Sequence, residues 1–167
     1  PDGGLFADTP DTTRTLHVDG ATPLLVVYTS GTTGKPKGAE LTHSNLLLNC
    51  SLVVPKLSRD LGPDSVALAT LPLFHSFGQT VIQNGTLAAG GTFTLLPRFD
   101  PQRAFEVMER DGVTIFAGVP TMYFALLHFE AERAYDLSKL STCMTGGAPM
   151  PVEVMGAFEK KFGVKIQ

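Results

Sequence analysis

The sequence predicts an α/β fold: a mostly parallel sheet with helices on both faces. Three observations carry this. From residue 65 onward, short apolar, β-branched runs alternate with longer helical segments, the order that produces parallel strands joined by helical crossovers. Prolines open the helical segments and glycines close them. Hydrophobic residues make up 43% of the 167-residue chain and charged residues only 17%, below the roughly 25% of an average globular chain. That deficit fits strands buried on both faces, and it equally fits a surface covered by further protein.

The elements follow in order. Residues 1–23, rich in Asp, Thr, Gly and Pro, read as an irregular lead-in. Residues 24–167 read as the body. Leu24 to Thr29 is a strand, followed by a loop of Gly, Ser, Thr and Lys. Gly38 to Leu41 is extended again. Ser44 is placed to cap a helix running through Leu46 to Leu52. Ser65 to Leu71 is a strand, Phe77 to Ala89 a helix closed by Gly90 and Gly91, and Thr92 to Leu96 a strand. Pro101 to Arg110 is a helix stopped by Gly112, and Val113 to Ala117 a strand. Pro120 to Phe129 is a helix and Leu140 to Thr145 a strand. Pro151 to Phe162 is a helix stopped by Gly163, and Val164 to Ile166 begins another strand. In such a sheet ligands gather beyond the carboxyl ends of the strands. The loops after Thr29, Leu71 and Thr145 all leave strands at that end.

The composition excludes several classes. A net charge of −3 spreads no basic field, so nucleic acid is not an expected partner. No apolar run approaches the roughly 18 residues of a membrane span. Two distant cysteines, Cys50 and Cys143, make no disulfide framework and read as buried thiols in a reducing, cytoplasmic compartment. His17, His43 and His128 fit no metal-ligand spacing with them. Ser30 and Ser76 lie outside any Gly-x-Ser-x-Gly elbow. Glu159, Lys160 and Lys161 read as a solvated helix face.

The loop in YTSGTTGKPKG, Tyr28 to Gly38, carries the chemistry. Glycines let a backbone approach a ligand closely. Successive N–H groups form a concavity suited to phosphate oxygens, and Lys35 and Lys37 add positive charge. It is not a Walker A loop, because only Thr32 and Thr33 separate Gly31 from Gly34, and Pro36 follows Lys35. The loop is expected to join two strands.

YTSGTTGKPKG resembles the phosphate-loop signature of the adenylate-forming superfamily of acyl-CoA synthetases, luciferases and peptide-synthetase adenylation domains. LPLFHSFG, Leu71 to Gly78, resembles its second core motif, where the acid substrate sits. TGGAPMP, Thr145 to Pro151, resembles the segment lying against adenine, and FAGVPTMY is similar to the stretch between them. The resemblance spans nearly everything after residue 23, within the central part of the family's large N-terminal domain.

This resemblance implies a two-step reaction. A carboxylate attacks the α-phosphorus of ATP to give acyl-AMP and pyrophosphate, and coenzyme A thiolate then takes the acyl group. Mg²⁺ would compensate phosphate charge. Thr29, Ser30, Gly31, Thr32, Thr33, Gly34 and Lys37 would cradle the phosphates, with Thr29 helping to hold the metal and Lys37 acting as electrostatic support. His75 would border the reacting carboxylate. Ser76, Phe77 and Gln79 would line the acid pocket, and Gly146, Gly147, Ala148 and Pro149 would form the adenine wall. In isolation, His75 could be a half-buried histidine and residues 146–149 an ordinary strand–helix turn. Val119, Pro120, Met122 and Tyr123 could be core or wall of the acyl tunnel.

Amino-acid-activating members of the family carry an Asp in the second motif to pair the substrate's ammonium group. Here that place holds FHSF, and no acidic residue occurs from Leu68 to Phe99. A buried ammonium would lack its counter-charge, so a plain carboxylic acid is expected, a fatty acid first. A fatty-acyl-AMP ligase, an aryl-acid–CoA ligase and a non-catalytic nucleotide- or partner-binding module are the alternatives. Family members also carry a Mg²⁺-binding Glu, a ribose-binding Asp and a C-terminal domain with a catalytic Lys, none of which is found in this sequence. The chain is therefore expected to be a piece of a longer enzyme, inactive alone and prone to self-association.

Overall fold

The computed structural model describes residues 17–29, 35–58 and 61–167. They fall into two compact units divided between Ser44 and Asn45.

The first unit is a hairpin. Strand β1 (Pro23–Thr29) pairs antiparallel with β2 (Lys37–Thr42), Thr29 facing Lys37 and Tyr28 facing Gly38. A side chain at Gly38 would press on Val26, whose Cγ1 lies 2.9 Å from the position of a Cβ. Before β1, Asp19 makes a turn: its Oδ1 accepts from the Ala21 N–H at 2.7 Å and its carbonyl from Thr22 at 2.9 Å. The lead-in proposed for residues 1–23 is described only from His17 onward.

Helix α1 (His43–Leu48) continues through a π-helical segment (Asn49–Val53) into α2 (Val54–Leu57). Ser44 does not cap α1. It lies one residue inside the helix, and its N–H donates to the Gly20 carbonyl at 2.8 Å. Leu47, Leu48, Leu52 and Leu57 along this rod are exposed.

The second unit is built on a four-stranded parallel sheet in the order β4-β3-β5-β6, formed by β3 (Val66–Ala69), β4 (Thr92–Leu95), β5 (Ile115–Gly118) and β6 (Thr142–Thr145). Between β3 and β4 runs a π-helical segment (Phe77–Asn84) and then α3 (Gly85–Ala88). Helices α4 (Pro101–Asp111), α5 (Pro120–His128) and α6 (Val152–Phe162) follow β4, β5 and β6.

Strand alternation sorts the side chains onto two faces. Ala67 and Ala69 of β3, Ile115 and Ala117 of β5 and Met144 of β6 pack with Ile82 and Phe77 of the π-helical segment. Leu68, Phe116 and Cys143 point the other way, into a larger core with Phe105, Tyr123, Leu126 and Phe158 from α4, α5 and α6. Helices thus cover both faces of a parallel sheet, as the sequence predicts. Beyond β6, Ile166 forms a parallel bridge with Cys143, and the Gln167 N–H donates to the Cys143 carbonyl at 2.9 Å. This is the strand start expected at residues 164–166.

Caps set the helix limits. Asp100 Oδ1 accepts from the Arg103 N–H at 3.0 Å with Pro101 opening α4, and Gly112 closes it at φ 62°. Gly163 closes α6 at φ 73°. These left-handed turns suit glycine.

Candidate active-site crevice

The strand order sets where a ligand crevice is expected. The chain passes from β3 outward to β4, then returns past β3 to β5 and continues outward to β6. Connections from β3 and β5 therefore leave in opposite directions, and the carboxyl ends of these two neighbours flank a topological switch point, where doubly wound sheets bind ligands.

Three of the motifs meet there. After β3, the chain turns through Leu71–Gly78. The His75 N–H donates to the Pro72 carbonyl at 3.0 Å, and the Gln79 N–H donates to the His75 carbonyl at 2.9 Å. The Phe77 N–H donates to His75 Nδ1 at 3.2 Å. Nδ1 is thus an acceptor, and Nε2 carries the proton of the neutral ring. Ser76 accepts at its carbonyl from the Thr80 hydroxyl at 2.6 Å. His75 and Ser76 are exposed, whereas Phe77 and Gln79 are half-buried. Gly78 is buried, and a side chain there would collide with the Pro72 carbonyl oxygen. The turn that presents His75 accordingly requires glycine at its end.

The Phe77 ring reaches across to β6. Its Cε1 lies 3.1 Å from where a Cβ on Gly146 would sit. Gly147 adopts φ 81°, and Val119 Cγ1 lies 3.5 Å from its Cβ position. At the end of β3 the Thr70 hydroxyl donates to Met122 Sδ at 3.7 Å. Phe77 of the FHSFG segment and Val119 of the VPTM segment thus both lie against the TGGAP segment, and Gly147, Ala148 and Pro149 remain exposed beyond them.

The residues left open between core and tunnel wall now separate. Val119, Pro120 and Met122 are half-buried, with Val119 and Met122 touching the site segments. Tyr123 is core, fully buried between Phe116 and Phe158. Thr145 opens the TGGAP segment but was given no role of its own by the sequence. Its Oγ1 is buried at the head of the glycine segment without a hydrogen-bond partner among the described residues.

In the first unit, Thr29 ends β1 and Lys37 opens β2, both exposed. The loop therefore joins two antiparallel strands, not a strand to a helix. Ser30, Gly31, Thr32, Thr33 and Gly34 lie outside the described residues. Thr29 offers one hard oxygen, and no group of three or more His, Cys, Asp or Glu among the described residues is placed to hold a metal. Thr29 alone would leave the other positions of a Mg²⁺ to phosphate oxygens and water, where such sites commonly add one or two carboxylates.

The family model for AMP-binding enzyme matches residues 5–167. The chain belongs to the AMP-binding enzyme family. It is 39% identical over 139 residues to a long-chain-fatty-acid–CoA ligase of Bacillus subtilis, covering 83% of this chain and 25% of that protein. It is 43% identical over 134 residues to a feruloyl-CoA synthase of an Amycolatopsis species, covering 80% and 27%. The fold matches the crystal structure of ATP-bound MatB from Rhodopseudomonas palustris with a TM-score of 0.77 at 33% identity, covering 92% of this chain and 30% of that one. The chain spans about a quarter of the length of the curated relatives it matches.

Proposed function

We propose that this chain is the nucleotide- and acid-binding portion of an ATP-dependent acid–CoA ligase. It would activate a carboxylic acid as acyl-AMP and pass the acyl group to coenzyme A. The observation that carries this is the meeting of the His75 turn, Val119 and the Gly146–Gly147 segment at the switch point of the sheet, in a member of the AMP-binding enzyme family.

Each residue then has a role. Gly146, Gly147, Ala148 and Pro149 form the flat wall for adenine. His75 presents a polar ring edge to the reacting carboxylate, with Ser76, Phe77 and Gln79 around the acid. Lys37, with the hydroxyls and N–H groups of Thr29 to Gly34, neutralises the phosphates. Thr29 would help to hold Mg²⁺, which would supply further charge compensation for the phosphates. The acid is uncharged apart from its carboxylate, because residues 68–99 offer no counter-charge for an ammonium group. A fatty acid is the first choice. The aryl acids remain the second reading, favoured by the 43% identity to a feruloyl-CoA synthase. Both cysteines are free and buried, which fits the cytoplasm. No helix among the described residues is long and apolar enough to cross a membrane.

The test is acid-dependent exchange of pyrophosphate into ATP by the full-length gene product, over a panel of fatty, aryl and amino acids. Exchange with fatty or aryl acids is expected. Exchange with amino acids alone, or with none, would sink the proposal.

A further inference from the structure

We propose that Tyr123 is a positioning residue for the adenine wall: its hydroxyl braces the carboxyl ends of β5 and β6, fixing the direction in which Gly146–Pro149 leaves the sheet. This rests on the reading of residues 146–149 as the wall.

Tyr123 sits on α5, one turn after Pro120, with its ring fully buried. The ring meets Phe116 edge-on at 5.1 Å and Phe158 at 5.0 Å, so its place is set by packing from β5 and α6. Its hydroxyl reaches two backbone carbonyls. It stands 2.6 Å from the Met144 oxygen and 3.1 Å from that of Phe116. The single phenolic proton serves the closer Met144 oxygen, with Phe116 as the alternative acceptor. These carbonyls lie on adjacent strands, Met144 being paired with Ala117. The peptide whose oxygen is held joins Met144 to Thr145, one residue before Gly146.

The N–H of the same peptide, that of Thr145, donates to the Gln167 carbonyl at 2.9 Å, whereas the segment beyond has few side chains to steer it. Thr145 Oγ1 lacks a partner among the described residues, and Gly146 and Gly147 have no side chains. Phe77 and Val119 limit it from one side by contact alone. The Tyr123 bond acts from the sheet side and is directional. Burial pushes the phenol's pKa well above its ordinary 10, so the group remains a donor across the working range of an enzyme.

The experiment compares Tyr123→Phe with wild type in the full-length gene product, since phenylalanine keeps the ring and removes only the hydroxyl. The dissociation constant and KM for ATP should rise about five- to tenfold, the worth of one buried hydrogen bond, while kcat stays within about twofold. Phe158→Leu is the matched control. It loosens the same ring and lowers Tm without touching the bond, and its ATP affinity should stay within about twofold of wild type. ATP affinity unchanged in Y123F, or reduced equally in F158L, overturns the proposal and leaves Tyr123 a packing residue. If wild type binds ATP but exchanges pyrophosphate with no acid, the ligase reading fails, while the binding comparison still decides the role of Tyr123.

Discussion

Strands β1 and β5 are both apolar, yet they have opposite fates. Every residue of β5 (Ile115–Gly118) is buried, while Leu24, Val26 and Tyr28 on one face of β1 are exposed, Tyr28 to 72%. Strand β5 has a parallel neighbour on each side and a helical layer on each face. Strand β1 has one partner in its sheet, and two-stranded hairpins are marginal in water. The contrast divides the labour of the molecule. The four-stranded sheet holds the fold, and substitutions there should register as stability. The hairpin flanks the loop proposed to hold phosphates, and substitutions there should register as binding.

The largest expected effect tests the first half of that division. Phe116→Ala empties a fully buried site beside Tyr123 and should cost about 3–5 kcal/mol. Val26→Ala on the half-exposed hairpin should cost under about 1 kcal/mol. Denaturant melts of both variants measure the difference, and similar losses would break the comparison. Next comes Lys37→Ala, expected to weaken ATP binding or turnover about 10- to 100-fold with no change in Tm. A lowered Tm with unchanged nucleotide affinity would assign Lys37 to the hairpin's structure.

Gly146→Ala is smaller again. Its methyl would stand 3.1 Å from Phe77 Cε1, and overpacking of this kind costs about 1–2 kcal/mol. Phe77→Leu in the same chain should recover part of that loss in a thermal melt, and additive losses would mean that the two residues are not in contact.

The smallest effect is electrostatic. Glu109 accepts from both terminal nitrogens of Arg133, at 3.0 and 2.5 Å, and from the Asp136 N–H at 2.8 Å, tying α4 to the loop that follows α5. The Arg133 bonds first, then the Asp136 N–H, hold its carboxyl at about 2 against an ordinary 4.5. A depressed carboxyl stabilises the fold above its unfolded value and loses that contribution as pH falls through the folded one. Wild type should therefore exceed Glu109→Gln in Tm by a constant small margin above about pH 5. The margin should vanish as pH falls from 4.5 to about 2. Solvent and salt screen the pair, so added salt should shrink the margin. A margin that grows on acidification would refute this account.

What was legible in the sequence follows from how each feature is encoded. Proline and glycine act locally, so α4 and α6 ended where Gly112 and Gly163 predicted. The His75 turn and the glycine segment were legible as patterns, because each needs particular residues to hold its backbone. The π-helical segments were not, since an added residue in a helical turn leaves no compositional mark. Ser44 was misread for a related reason. Serine favours a cap only where the chain is already turning, and here the turn comes one residue earlier. Tyr123 looked equally fit for core or tunnel wall until its neighbours were known, because an apolar face does not name what it meets. The hairpin's exposure was hidden as well: β1 reads like any buried strand.

The pairing of β3 with β5 has a consequence for how the molecule assembles. The Thr114 hydroxyl accepts from the Val66 N–H at 3.0 Å, joining residues 48 apart in the chain. Closing so long a loop costs entropy before any contact repays it. During synthesis β3 and β4 can meet as soon as both have emerged, but β3 must keep its second edge open until β5 arrives. The two walls of the crevice thus come together only after the stretch between them has been made, and the open edge of β3 is the point at which a slowed ribosome would leave the nascent chain most exposed to wrong partners.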